Sequence, residues 1–202
     1  LRLVIGRAGQ LAGKTIVISA GGTQEPLDPV RVLTNRSSGK QGYALAQAAL
    51  DAGAQVTLVS APTSLTPPVG ARLVNVETAR QMLEAVLAES ALADALIMAA
   101  AIADFRPKAA AASKMKKRDG IPQVTLEATE DVLEAVARLG SGKKRPRVTV
   151  GFAAESRDLL ANASEKLKSK KLELIVANDI SASDAGFGVE TNRVTLLFAD
   201  GK

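Results

Sequence analysis

The chain has 202 residues, with 26 Lys and Arg against 21 Asp and Glu and a net charge of +5. It contains no Cys and no His, which excludes disulfides, thiolate chemistry and Cys-ligated metals and removes the commonest general base. Any catalysis must therefore rest on carboxylates, Lys and Arg, Asn, hydroxyls, backbone groups and a hard cation. Aromatic residues are only 2% of the chain, too few for the stacking platforms of a single-strand binder, and no apolar run approaches the roughly 20 residues of a membrane span.

Residues 1–13 lack the apolar core and cleavage site of a signal peptide and read as a linker from a longer parent chain. Residues 15–19, β-branched and followed by Gly21 and Gly22, read as a buried parallel strand. Pro26 and Pro29 forbid a regular helix over 24–31, which is expected to be an ordered loop. The polar stretch 34–42 then leads into a helix over 43–52, stopped by Gly53. Strands are expected at 55–60 and 72–76 around a loop at 62–68, and Thr78 caps a helix over 79–88. A further strand at 95–100 ends near Asp104. Residues 108–120 turn to small residues and then Lys114, Lys116, Lys117 and Arg118, a mobile basic flap. Residues 123–128 are strand-like, 129–131 open a helix to Arg138, and 143–147 form a basic turn. A strand at 148–155, a helix at 158–169, a strand at 172–177 and an edge strand at 192–198 complete the chain. This alternation predicts an α/β fold: a Rossmann-like, doubly wound, mostly parallel sheet with helices on both faces and an edge hairpin or strand extension. Ligands are expected outside the carboxyl ends of its strands.

The residues with chemistry fall at those ends. Gly21 and Gly22 follow the first strand, but neither a G-x-G-x-x-G fingerprint nor a Walker A sequence is present. Ser37, Ser38 and Gly39, opening a helix, favour an anion site over a plain turn. Beside them Asn35 offers two donors and an acceptor outside proton traffic, suited to holding an acyl group. Asp104 is either a surface carboxylate or a ligand to Mg²⁺ or a hydroxyl. Lys114, Lys116 and Lys117 are either a solvated charge run or a flap that neutralises phosphate charge. Lys166 and Lys170, four apart, share one helix face and repel mildly unless an anion lies between them; a lysine-rich surface helix fits that spacing equally well. These features alone indicate an α/β protein that binds a phosphorylated ligand.

Long motifs in one order go further. Residues 19–31 (SAGGTQEPLDPVR), 35–40 (NRSSGK), 99–105 (AAAIADF), 114–117 (KMKK), 151–155 (GFAAE) and 177–180 (ANDI) closely resemble the bacterial phosphopantothenoylcysteine synthetase family, from about Gly13 to the end. The resemblance implies a phosphopantothenate–cysteine ligase of coenzyme A biosynthesis. In that family CTP, with Mg²⁺, activates the carboxylate of 4′-phosphopantothenate as an acyl-cytidylate with release of pyrophosphate. The amine of L-cysteine then displaces CMP. Carboxylate attack on phosphorus needs positioning and charge neutralisation more than a strong base, which suits a chain without His.

Carried over by motif, Asn35 is the catalytic asparagine, and Met98, Ala99, Ala100, Asp104, Lys114, Phe152, Lys166 and Lys170 are nucleotide contacts. Glu130, Asp131, Val132 and Leu133 occupy a further contact segment, where Thr129-Glu130 replaces the usual Asn-Pro. Gly21, Gly22, Ser37, Ser38 and Gly39 form the phosphate and substrate loop, and Mg²⁺ rides mainly on the nucleotide phosphates, with Asp104 as the candidate carboxylate. Residues 1–13 correspond to the tail of a linker from an amino-terminal FMN-dependent decarboxylase, and residues 14–202 to the ligase domain. A homodimer, a cytoplasmic location, and no membrane or nucleic-acid partner are also implied. Two rivals are an NAD(P)-dependent reductase, which the missing glycine fingerprint opposes, and a basic nucleic-acid-binding module, which the low aromatic content opposes.

Overall fold

The computed structural model describes residues 2–6, 8–139, 145–155, 158–179 and 193–201. In chain order these form α1 (Arg2–Gly6), β1 (Thr15–Ala20), β2 (Gln24–Asp28), β3 (Arg31–Thr34), α2 (Lys40–Asp51), β4 (Gln55–Ser60), β5 (Arg72–Asn75), α3 (Ala79–Ser90) and β6 (Ala95–Met98). They continue with β7 (Phe105–Pro107), β8 (Leu126–Ala128), α4 (Val132–Arg138), β9 (Val148–Glu155), α5 (Leu159–Ser169), β10 (Leu174–Asp179) and β11 (Val194–Phe198).

Seven strands make one sheet in the order β11-β10-β9-β6-β1-β4-β5. All neighbours are parallel except the edge pair β10–β11, so the doubly wound sheet with an edge extension is as expected. The winding starts at β1, moves outward through β4 and β5, and then reverses to β6 on the other side. The carboxyl ends of β1 and β6 therefore diverge into a crevice, where such sheets bind ligands.

Side chains alternate across the sheet and build two cores. Ile16, Ile18, Val56 and Leu58 pack against Tyr43, Ala46 and Leu50 of α2. Val17, Val59 and Leu96 face α3, α4 and α5 through Met82, Val86, Val136 and Leu167. The second core holds α4 and α5 at the carboxyl-end side of β9. Thr78 caps α3 with a complete capping box, accepting from Gln81 N–H while the Gln81 side chain accepts from the Thr78 N–H.

Several local expectations change. Residues 24–34 are a hairpin, β2 paired antiparallel with β3, instead of a loop. Pro26 rules out a helix but is tolerated in a two-stranded ribbon, which has no second neighbour requiring its N–H. The turn closes on Asp28, whose Oδ1 accepts from the Val30 and Arg31 N–H groups at 2.9 Å each. The weak segment contains α1, and its return loop binds the end of α2 through Leu11 N–H to Ala52 O at 2.8 Å. The strand expected at 123–128 shortens to β8, which pairs with β7 in a ribbon outside the main sheet. Residues 140–144, within or beside the expected basic turn, lie outside the described residues, as does Asn192 before β11.

Helix α2 starts three residues earlier than expected because Gly39, at φ 77°, supplies a left-handed N-cap. One turn later, Gly42 lets the helix touch β1. A Cβ there would lie 2.6 Å from Ala20 Cβ and 2.8 Å from Ser19 O. Helix propensity alone would make Gly42→Ala stabilising by about 1 kcal/mol. The contact with strand backbone predicts the opposite sign, a loss of about 1–3 kcal/mol in urea unfolding, and a neutral or stabilised variant would refute this close approach.

Candidate functional site

Beyond the last paired residues of β1 and β6, the two chains remain joined by hydrogen bonds. Ala101 N–H donates to Gly21 O at 2.8 Å, and Thr23 N–H donates back to Ala101 O at 3.1 Å. Side chains reinforce the seam: Ser19 Oγ accepts from Ala100 N–H at 3.1 Å and Thr23 Oγ1 from Ala103 N–H at 2.9 Å. Both hydroxyls are fully buried, so each satisfies a backbone donor that would otherwise be orphaned.

The same seam places Asn35. Thr34 Oγ1 donates to Thr23 O at 2.8 Å, and Asn35 Nδ2 donates to Ile102 O at 3.2 Å. The amide is thus anchored by its nitrogen to the loop that carries Asp104, with one amide hydrogen and the carbonyl oxygen beyond that bond. Thr129 closes the loop from the other side, with its Oγ1 donating to Ala103 O at 2.5 Å and its N–H to Asp104 O at 2.9 Å.

Above the seam opens a cavity of about 1040 Å³. Ser37, Ser38 and Gly39 form one wall with the first turn of α2; Met98, Ala99, Ala100 and Asp104 form the floor and far rim. Glu130, Asp131, Val132 and Leu133, at the start of α4, line a third side, and Phe152 and Lys166 a fourth. The Ser37 and Ser38 hydroxyls accept, at 3.4 Å, from the N–H groups two residues on, which stiffens the loop at the helix start. Lys166 Nζ donates to Phe152 O at 3.0 Å, holding an ammonium against this wall.

Other expected site residues sit outside the cavity wall. Gly21 and Gly22 lie beneath it. At φ 81°, Gly21 would bring a Cβ to 2.7 Å from Ala61 O, and one on Gly22 would lie 3.0 Å from Asn35 O, so their placement serves close packing of the seam. Lys114 is exposed on the basic segment, which docks on the hairpin. Lys170 Nζ pairs with Asp131 Oδ2 at 3.1 Å and Glu134 Oε2 at 3.5 Å, so carboxylates of α4 occupy the position that the shared face with Lys166 suggested for an anion. Burial pushes the Asp131 carboxyl up, but the Glu134 N–H, the bonded Lys170 and nearby Lys166 outweigh it and hold it below the usual range. Burial pushes Lys170 down, and Asp131 and Glu134 more than reverse this.

The cavity also gathers residues that the sequence did not single out as contacts: Tyr43, Leu65, Thr66, Thr129 and Asn178. Asn178 ends β10, and its Oδ1 is buried without a hydrogen-bond partner. Its place at a strand end was the available signal. Leu65 and Thr66 come from the loop after β4 and had none.

With this architecture in view, the comparisons with known proteins are specific. The coenzyme A biosynthesis bifunctional protein CoaBC of Bacillus subtilis is 49% identical over 192 residues, covering 95% of this chain and 46% of that protein. The chain spans about half the length of the curated relatives it matches. Among solved structures, the C-terminal domain of coenzyme A biosynthesis bifunctional protein CoaBC is 41% identical with a TM-score of 0.79, covering 95% of this chain and 85% of that one. A Cab2 mutant in complex with phosphopantothenate-cysteine shares the fold at 19% identity and a TM-score of 0.73, covering 93% of this chain and 77% of that one. The family of the DNA/pantothenate metabolism flavoprotein C-terminal domain matches residues 11–202, and the chain belongs to that family.

Proposed function

We propose that this domain is a phosphopantothenate–cysteine ligase acting in coenzyme A biosynthesis, with CTP as the activating nucleotide. The observation that carries the reading is the convergence at the switch point. A serine-glycine helix start, an anchored amide and an exposed carboxylate surround one cavity, in a chain whose relatives bear the name of coenzyme A biosynthesis proteins. The cavity is at the upper end of the range for small-molecule sites, about 300–1,000 Å³, and suits a nucleotide with a second substrate beside it.

In this reading the Glu130–Leu133 side, Phe152 and the backbone of Met98, Ala99 and Ala100 hold the nucleoside, and Ser37, Ser38 and Gly39 face phosphate. The carboxylate of 4′-phosphopantothenate attacks the α-phosphorus, forming the acyl–oxygen–phosphorus link as pyrophosphate departs. The amine of L-cysteine then attacks the acyl carbon and CMP leaves. Asn35, fixed by its bond to Ile102 O, orients the acyl group for both steps; Lys114 and Lys166 offset phosphate charge. Among the described residues no group of three or more acidic side chains could hold a metal. That fits Mg²⁺ carried mainly by nucleotide phosphates, with Asp104 as a single protein ligand. The cation would neutralise charge on the triphosphate.

A dinucleotide-dependent reductase is less well supported. After β1 the chain enters the β2–β3 hairpin, so its glycine turn does not open a helix onto a pyrophosphate. The proposal extends to a homodimer, supported by Val30, Val32 and Leu33 exposed together on the hairpin. It also extends to a cytoplasmic parent chain with an FMN-dependent decarboxylase domain, supported by the bifunctional names of the relatives. No helix among the described residues is long and apolar enough to cross a membrane.

Asn35→Ala is expected to retain CTP and phosphopantothenate binding while product formation falls by about 10²–10³-fold, measured as phosphopantothenoylcysteine formed per minute. Wild-type turnover in that variant would remove Asn35 from the chemistry. Lys114→Gln is expected to raise the apparent KM for CTP about tenfold through loss of one charge-assisted contact, with an unchanged melting temperature. An unaltered KM would exclude Lys114 from nucleotide binding.

A further inference from the structure

We propose that Asp28, buried in the β2–β3 turn, is a positioning residue that fixes the basic segment at Met115 and thereby places Lys114. Its side chain has no exposed surface, and its two oxygens serve different partners. Oδ1 accepts from the Val30 and Arg31 N–H groups, which is all that an Asx-type turn requires. Oδ2 instead accepts from Met115 N–H at 3.1 Å and pairs with Arg31 Nη2 at 3.1 Å. Arg31 in turn donates to Met115 O. One peptide unit on each side of Met115 is therefore gripped by the hairpin, and a third bond, Ala111 N–H to Leu27 O at 2.9 Å, docks the segment further back.

The grip matters because the hairpin is itself tied to the site. Glu25, 2% exposed, accepts from Ala79 N–H at the start of α3 at 2.7 Å, and Gln24 N–H donates to Glu77 O at 2.8 Å. Thr23, immediately before β2, belongs to the seam beneath Asn35. Asp28 thus transmits the position of a rigid sheet edge to a segment otherwise composed of exposed Lys114, Lys116, Lys117 and Arg118. A lysine on a tethered backbone loses less freedom on meeting phosphate than one on a free loop. Burial pushes the Asp28 carboxyl up, but the N–H groups of Val30 and Met115 and the Arg31 cation outweigh it and keep it ionised.

The role of Asp28 in placing Lys114 for CTP rests on the ligase reading; the clamp itself does not. Asp28→Asn separates the two functions of the side chain. Its carbonyl oxygen can still close the turn, whereas its NH₂ faces the Met115 N–H, two donors in opposition. In the 202-residue chain without substrates, tryptic cleavage after Lys114, Lys116 and Lys117 is expected to accelerate about tenfold. The CTP KM is expected to rise by a similar factor, with that rise absent in the Lys114→Gln background, as coupled residues require. Met115→Pro, which removes the donor from the other side and leaves the turn intact, is expected to give the same pattern. Unchanged cleavage in both variants would overturn the clamp, and KM effects of Asp28→Asn and Lys114→Gln that multiply would overturn its link to Lys114. If the unaltered chain does not use CTP, the ligase reading fails, and the tryptic comparison still decides the clamp.

Discussion

Two strands that leave a sheet in opposite winding directions expose their terminal backbone groups exactly where a ligand must approach, and here those groups are paired to each other. Gly21, Thr23 and Ala101 prolong the β1–β6 ladder past its last register pair, and the Ser19 and Thr23 hydroxyls take up the N–H groups of Ala100 and Ala103. Breaking any of these bonds would leave a buried polar group unsatisfied, at a cost of about 1–3 kcal/mol. The crevice therefore has a stiff floor. Asn35, Asp104 and Thr129 hang from that floor by short connections, so their mutual placement is inherited from the sheet rather than from loop preference.

A chain without His or Cys must work by placement, and its electrostatics are arranged accordingly. Lys166 is directed at the cavity wall by the Phe152 carbonyl, while Lys170 is neutralised by Asp131 and Glu134 at the start of α4. That pair welds α5 to α4 and so sets the width of the cavity on its third side. Lys114 has no comparable carboxylate partner on its own segment; its constraint comes through the backbone at Met115. Positive charge is thus held by different means at separate points around one space, which suits a ligand whose negative charge shifts during reaction.

Much of this was readable before any coordinates. The strands at 55–60 and 148–155 coincide with β4 and β9, because continuous apolar runs between polar ends leave little choice. The hairpin was not readable: all four residues of β3 are exposed, so no burial alternation marks it, and Pro26 and Pro29 disguise its neighbour as loop. In the site, residues with a distinctive side chain beside glycine or at a strand end, such as Asn35 and Asp104, were legible. The seam was not, since its work is done by backbone groups of Gly21, Ala101 and Ala103, whose identities carry no signal. Asp28 stood inside a quoted motif, yet only the fold brings it to Met115, 87 positions away.

The central claim is that this cavity activates a carboxylate with a nucleotide before an amine is needed. Pyrophosphate release by the purified chain, followed with CTP or ATP, with and without 4′-phosphopantothenate, and then with L-cysteine added, tests it most directly. The account predicts a burst stoichiometric with protein when CTP and phosphopantothenate are both present, and sustained release with CMP formation only after cysteine is supplied. Release that ignores phosphopantothenate, or none until cysteine is present, would contradict it.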